Sequence, residues 1–289
     1  MNYKKIIRCF YALCLMTMAN FFFAGCGHDI LNYDAITPES TQAQIDRNFY
    51  RYLGIKTAAT DYYEYKFGKP QKIRPDNLKE YSRRGELINE TLYDAQGLVQ
   101  SKKAYSYDAD GNVIEKTVYT SAGVIDTQTS YKYAGGKLKN ELNYDSTGKL
   151  VYKSVVEYNA AGNATEEVIY DATGNVAASV VYEYSGNNRK YLKKYTSGSS
   201  EPSEIIEYFY DASGSKTKET TTKGTTVEER TYNSGKLLTG QKQLDSGVLS
   251  NKWSFAYDSH GLLLEKTGYN TNSVIDEPIC SYISAYTNH

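Results

Sequence analysis

Tyr93-Asp94-Ala95-Gln96-Gly97 is the stretch that decides the fold, because the same five-residue unit returns along most of the chain. It next appears as Tyr107-Asp108-Ala109-Asp110-Gly111. The Asp side chain can accept hydrogen bonds from the backbone two residues on, and Gly can adopt the positive φ that closes a type I turn with a bulge. The unit is therefore predicted to be a hairpin turn. It recurs at Tyr144, Asp145 and Gly148, at Tyr170, Asp171 and Gly174, at Tyr210, Asp211 and Gly214, and at Tyr257, Asp258 and Gly261.

The spacing of these turns predicts one strand between each pair. Fifteen turn glycines lie from Gly85 to Gly261, at about 12.6 residues per step. Such a step holds one turn and one strand but no helical crossover. Between turns the residues alternate, with Leu138 and Leu142 on one face and Lys139 on the other. The sequence thus predicts an all-β fold, a tandem array of antiparallel β-hairpins in an elongated or curled meander, with a short N-terminal helical or irregular cap.

Composition agrees with a β-rich protein and limits its partners. The 289 residues include 30 Tyr, 8 Phe, 1 Trp and 22 Gly, which favours strands joined by tight turns. Lys and Arg total 33 against 34 Asp and Glu. This balance lacks the basic excess expected of a nucleic-acid partner, so no nucleic acid is predicted.

The N-terminus has the pattern of an export signal. Lys4, Lys5 and Arg8 precede an apolar stretch over residues 9–24 that is too short for a membrane-spanning helix. The segment Phe23-Ala24-Gly25-Cys26 resembles the lipobox of bacterial lipoproteins. The resemblance implies cleavage between Gly25 and Cys26, acyl chains on Cys26 and attachment to a membrane through those chains.

Two further features bear on the location. By analogy with enteric sorting, Gly27 after the predicted lipidation position favours the outer membrane of a Gram-negative bacterium, with the facing left open. Cys280 is the single cysteine after Cys26, so no intramolecular disulfide is expected in the exported body.

The repeat resembles the tyrosine-aspartate (YD) repeats of the Rhs family over roughly residues 81–261. The resemblance rests on the Tyr-Asp-x-x-Gly units quoted above and implies strands that wind into a spiral. The family's self-processing segment has no counterpart here, so the resemblance is limited to the repeats. Gly-Lys-Leu at 136–138, 148–150 and 235–237 is similar to MORN-type tandem hairpins, which leaves a second family open.

These patterns divide the chain into five predicted segments. They are a lipoprotein signal peptide over 1–25, a tether over 26–40, an N-terminal cap over 41–80, the repeat array over 81–268 and a C-terminal cap over 269–289.

No residue pattern predicts an enzyme, a metal site or a cofactor. His28, His260 and His289 are isolated in sequence, which argues against a His-based triad or a zinc site. Adjacent carboxylates such as Glu166 and Glu167 would point to opposite faces of a strand.

Two classes of function are left open. The favoured one is a non-catalytic, lipid-anchored cell-envelope protein whose repeat surface contacts glycan or another protein. The alternative is a structural or assembly component of the outer membrane without a ligand of its own, and an envelope hydrolase is a distant third.

Overall fold

The computed structural model describes residues 42–271 and 276–289, which form one short helix and eighteen β-strands. The predicted signal peptide, Cys26 and the predicted tether lie outside these residues. The helix α1 runs over Gln42–Leu53. The strands are β1 (Ile55–Lys66), β2 (Lys69–Tyr81), β3 (Leu87–Tyr93), β4 (Val99–Tyr107), β5 (Val113–Thr120), β6 (Ile125–Ala134), β7 (Lys137–Asp145), β8 (Leu150–Tyr158), β9 (Ala164–Asp171), β10 (Val176–Ser185), β11 (Asn188–Thr196), β12 (Glu204–Tyr210), β13 (Lys216–Lys223), β14 (Thr226–Tyr232), β15 (Leu238–Asp245), β16 (Val248–Tyr257), β17 (Leu263–Tyr269) and β18 (Pro278–Asn288).

The strands form a closed antiparallel barrel. Each strand pairs with its neighbours in sequence, and β1 also pairs with β18 from Ile55 opposite Asn288 to Glu64 opposite Cys280. The prediction of an open, elongated or curled array is therefore wrong. An open array would leave two edges of unpaired backbone groups, whereas closure satisfies both edges at once. β1, β2 and β18 lie within the segments assigned to the caps, so the barrel is larger than the predicted array.

The Tyr-Asp-x-x-Gly turns have the geometry that their residue types favour. Oδ1 of Asp94 accepts hydrogen bonds from the backbone amides of Gln96 and Leu98, both at 2.9 Å. Gly97 has φ +77° and donates its amide to the Asp94 carbonyl at 3.0 Å. Each such turn ends in a bulge, here between Leu92 and Tyr93 in the pairing with β4.

Alternate side chains separate an inner face from an outer face. In β8, Tyr152, Ser154 and Val156 are shielded, whereas Val151, Lys153 and Glu157 are exposed. The pairing registers carry this alternation from strand to strand around the barrel. The shielded face lines the inside of the barrel, where Glu228 and Arg230 of β14 both contribute to the pKa of Lys266 on β17.

The two ends of the barrel are distinct. The end formed by the turns after even-numbered strands is called the near rim, and the end formed by the turns after odd-numbered strands is called the far rim. Helix α1 packs on the near rim, where the Arg47 guanidinium donates to the Gly111 carbonyl at 2.6 Å and Phe49 lies beside Gly261. A Cβ on Gly85 would clash with the α1 backbone, so only Gly allows this close approach.

A small apolar core lies beneath α1. Its buried members are Ile55, Ala58, Tyr81 and Leu262, and Tyr50 stacks on Tyr81 with ring centroids 4.4 Å apart. Elsewhere the inner face is mostly polar and aromatic, and the buried Val156 and Val180 add aliphatic contacts. Among the described residues, no helix is long and apolar enough to cross a membrane.

A ring of nine tyrosines, one from each even-numbered strand, lies on the inner face at the near rim. Six of their hydroxyls donate to a backbone carbonyl near the start of the preceding strand, 19 to 23 residues earlier, at 2.7 to 3.0 Å. These bonds tie six of the even strands to the strand that precedes each of them. The ring consists of Tyr81, Tyr107, Tyr133, Tyr158, Tyr184, Tyr210, Tyr232, Tyr257 and Tyr286.

Removing one of these hydroxyls is expected to destabilise the barrel. Tyr158→Phe deletes the 2.7 Å bond to the Leu138 carbonyl and should lower the free energy of unfolding by about 1 kcal/mol. The matched control is Tyr170→Phe, because the Tyr170 hydroxyl makes no hydrogen bond within the described part of the chain. Denaturant unfolding of both variants measures the difference. Equal midpoints would show that the inner ring adds nothing to stability.

Candidate ligand-binding surface

A second set of tyrosines lies on the outer face at the far rim. It is called the far-rim row, and it comes from seven of the nine odd-numbered strands, at or next to each strand's last residue. Strand pairing places all seven on the outer face. The row comprises Tyr269, Tyr65, Tyr93, Tyr119, Tyr144, Tyr170 and Tyr195, from β17, β1, β3, β5, β7, β9 and β11 in that order around the barrel.

Tyrosines of the same Tyr-Asp-x-x-Gly motif therefore lie on two different surfaces, the far-rim row and the inner ring. Tyr93, Tyr144 and Tyr170 end odd strands and belong to the far-rim row, and their turns contain Asp94 and Gly97, Asp145 and Gly148, and Asp171 and Gly174. The remaining three motif tyrosines end even strands and belong to the inner ring. They are Tyr107, Tyr210 and Tyr257, whose turns contain Asp108 and Gly111, Asp211 and Gly214, and Asp258 and Gly261.

The tyrosines of the far-rim row are held in place but remain accessible. All seven are partly buried, with part of each side chain open to solvent. Tyr65 is fixed by a 3.2 Å hydrogen bond to Glu265, and Tyr269 shares a 2.8 Å bond with Ser254. Tyr93 and Tyr144 make no hydroxyl hydrogen bond within the described residues, so their hydroxyls are available to a ligand.

Exposed apolar side chains concentrate at the same rim. Of twelve exposed large apolar residues in the described part of the chain, eight lie in or within two residues of a far-rim turn. Val124, Leu98 and Val248 are 62%, 66% and 70% exposed, whereas near-rim Ile88 and Ile114 are 37% and 40% exposed. Such clustering marks a contact surface. The eight are Phe67, Leu98, Val124, Ile125, Val151, Val176, Val248 and Ile279.

An open cavity of about 390 Å³ adjoins one member of the row. Tyr170, Leu150 and Lys153 line it together with the turn from Asp171 to Gly174. The Thr173 hydroxyl, followed by backbone amides, holds the pKa of Asp171 below its usual value. Asp171 therefore stays ionised and committed to its turn, and the cavity offers an aromatic ring, an apolar side chain and an ammonium group.

The inner face carries charges that are mostly paired. Glu219 receives the Lys216 ammonium at 2.9 Å and the Arg230 guanidinium at 2.8 Å. Burial alone would raise the pKa of Glu219, but these two cations outweigh it and leave the pKa lowered. Lys266 instead lies 4.2 Å from the Trp253 ring centroid, and burial lowers its pKa. These clusters face inward and stabilise the wall.

The groups considered for catalysis are not brought together. Glu167 lies on the inner face and accepts a 3.3 Å bond from Tyr182, whereas Glu166 lies on the outer face. His260 sits in a near-rim turn, and Cys280 is a buried free thiol beside Gly268. Within residues 42–271 and 276–289, no cluster of three or more His, Cys, Asp or Glu could hold a metal ion.

Some members of the far-rim row lack the full motif, and the sequence did not predict that they share a surface. Tyr65, Tyr119, Tyr195 and Tyr269 do not begin a Tyr-Asp-x-x-Gly unit. The signal that could have found them is a longer period. Tyr93, Tyr119, Tyr144, Tyr170 and Tyr195 recur every 25 or 26 residues, which is the length of one complete hairpin.

Comparisons with known proteins give structural neighbours only. No family profile matches the chain, and no curated protein is detectably similar to it. A porin-like protein from Bacteroides uniformis is similar over 81% of this chain and 96% of its own, at 10% identity and TM-score 0.42. A porin-like protein from Bacteroides vulgatus is similar over 80% and 99%, at 12% identity and TM-score 0.22. The Photorhabdus luminescens Tc holotoxin pore is similar over 75% of this chain and 16% of its own, at 11% identity and TM-score 0.27.

Because the inner tyrosines are buried, we expect the barrel to lose stability against unfolding at alkaline pH. Burial raises the pKa of Tyr105, Tyr107, Tyr131 and Tyr257 from 10.0 to about 12. Their contribution to stability is complete below the unfolded value near 10 and is lost as the pH rises toward 12, because the unfolded chain ionises first.

The measurement combines denaturant melts with phenolate absorbance across that pH range. The melting midpoint should fall as the pH rises, and Tyr107→Phe should reduce the fall. An unchanged midpoint, or complete phenolate formation near the ordinary tyrosine pKa in a folded protein, would contradict the burial of these rings.

Proposed function

We propose that the protein is a non-catalytic, lipid-anchored cell-envelope protein that binds glycan through its far rim. The observation that carries the proposal is the far-rim row, in which seven partly exposed tyrosines lie on one surface at one end of the barrel. An aromatic ring can stack on the apolar face of a sugar while the hydroxyl hydrogen-bonds to sugar hydroxyls. Exposed apolar residues and the Tyr170 cavity add contact area beside the rings.

The position of α1 limits how far the barrel can lie from the proposed anchor. Fifteen residues separate Cys26 from Gln42, where α1 begins, and a chain of that length spans at most roughly 50 Å. Since α1 packs on the near rim, lipidation at Cys26 would keep the near rim within that distance of the membrane.

The outer wall supports a barrel that stands in water beside the membrane. Barrels that span a bilayer present an apolar band to lipid, and charges within that band are costly. Here almost every strand places a charged residue on the outer face, and several form ion pairs there, such as Lys193 with Glu183 at 2.6 Å. These residues include Lys102, Glu115, Lys132, Lys153, Glu166, Glu183, Lys193, Glu207, Lys218, Glu229, Lys242 and Glu265.

The proposal excludes catalysis at the far rim because the carboxylates there are engaged in their own turns. Asp94, Asp145 and Asp171 each accept backbone amides of their own turn, so they serve as turn residues rather than as acid–base groups. An envelope role is compatible with the porin-like neighbours, although the proposal does not depend on them.

A glycan array tests the binding proposal. The chain from Gly27 onward, which lacks the proposed anchor residue and contains every described residue, should retain glycan on the array. Replacing Tyr93, Tyr144 and Tyr170 with Ala should lower affinity at least about tenfold, or roughly 1.4 kcal/mol, whereas the matched Tyr→Phe set should keep most of it because the rings remain. Absence of any glycan binding by the unmodified chain, or equal binding by the Ala set, would contradict the proposal.

The anchor is tested in the same study on the full-length chain. Metabolic palmitate should label the unmodified protein and should not label Cys26→Ala. Equal labelling of the two proteins would contradict anchoring at this residue.

A further inference from the structure

The far-rim row is regular enough to restrict the kind of glycan. Five consecutive odd strands, β3 to β11, each place a tyrosine at the last or next-to-last residue on the outer face. Neighbouring members are two strands apart, which is roughly 10 Å across the strands, and the pairing registers displace each one by about two residues, or roughly 7 Å, along the strand, so neighbouring tyrosines lie roughly 12 Å apart. The row therefore presents equivalent aromatic contacts at a constant interval.

We propose that the row binds a neutral, linear glycan polymer that lies along the far rim and contacts several of its tyrosines at once. This inference rests on the proposed glycan binding and names the ligand class. An extended polymer can reach from one tyrosine to the next along the row. A single sugar would need only one ring, so it gives no reason for a row.

The charges beside the row favour a neutral polymer. The turns next to Tyr93, Tyr144 and Tyr170 each carry an aspartate. Hydrogen bonds from the Thr147 hydroxyl and the backbone amides that follow keep the pKa of Asp145 low, so this group is ionised at neutral pH. A polyanion would meet one of these carboxylates beside three of the five tyrosines from Tyr93 to Tyr195.

The row also has a defined end. On β13 and β15 the equivalent outer positions hold Thr222 and Leu244 rather than Tyr. A polymer that follows the rim from β17 through β1 to β11 would lose its aromatic contacts beyond Tyr195. The contact length is therefore limited, and affinity should rise with chain length only until the row is filled.

The test measures affinity against chain length. The probes are β-1,4-linked glucose oligomers and N-acetylglucosamine oligomers of two, four and six sugars, offered to the chain from Gly27. At least one series should bind the six-sugar oligomer at least about tenfold more tightly than the two-sugar oligomer. Tyr144→Ala, in the middle of the row, should reduce affinity for six sugars more than for two.

A variant that adds one aromatic contact distinguishes binding along the row of tyrosines from binding in a single pocket. Thr222→Tyr extends the row by one strand and should raise affinity for long oligomers while leaving the two-sugar affinity unchanged. Lys218→Tyr is the control, because it adds a ring to the same face of the same strand away from the rim.

The outcomes distinguish this inference from the proposed function. Equal affinity for two and six sugars would overturn the polymer inference and leave glycan binding standing. Binding only to oligogalacturonate, or only to phosphatidylglycerol vesicles, would overturn the inference in favour of an acidic polymer or a lipid surface. A chain that binds no glycan on the array would overturn both.

Discussion

The pairing of β1 with β18 is the constraint on which the rest of the structure depends. These strands are more than 200 residues apart, yet they form a ladder in which the Thr57 and Thr287 hydroxyls lie 2.6 Å apart. Without this pairing both strands would expose unpaired backbone groups, and hairpins would provide only a flexible sheet. With it, the sheet acquires an inside, an outside and two rims. The far-rim row and the inner ring of tyrosines are both defined by these surfaces.

Closure gives the abundant tyrosines two separate roles. Even and odd strands run in opposite directions, so a tyrosine at a strand's end falls on the near rim in one case and on the far rim in the other. At the near rim the ring points inward, and its hydroxyl can donate a hydrogen bond to the backbone, as the Tyr158 hydroxyl does to the Leu138 carbonyl. At the far rim the ring points outward, and hydroxyls such as that of Tyr144 remain available.

The sequence predicted the local structure well because the local chemistry is strong. Asp and Gly in a unit such as 94–97 determine their turn without outside help, and alternation such as that around Leu138 identifies a strand. Closure could not be predicted, because an open meander and a barrel share the same neighbouring pairs and differ in one long-range ladder. The separation into two rims was also missed. The average step of about 12.6 residues counted all turns together. It therefore treated Tyr93 and Tyr107 as equivalent, although their strands run in opposite directions.

A disulfide across the seam tests the closed barrel most directly. Side chains directly opposite on paired antiparallel strands are close enough for a disulfide, whereas residues four positions away are not. In the chain from Gly27 with Cys280→Ser, Thr57→Cys combined with Thr287→Cys should oxidise completely under mild conditions and raise the unfolding midpoint. Thr57→Cys combined with Ile283→Cys, on the same face but out of register, should stay reduced. Failure of the first pair to oxidise, or equal oxidation of both pairs, would contradict a barrel closed by β1 and β18.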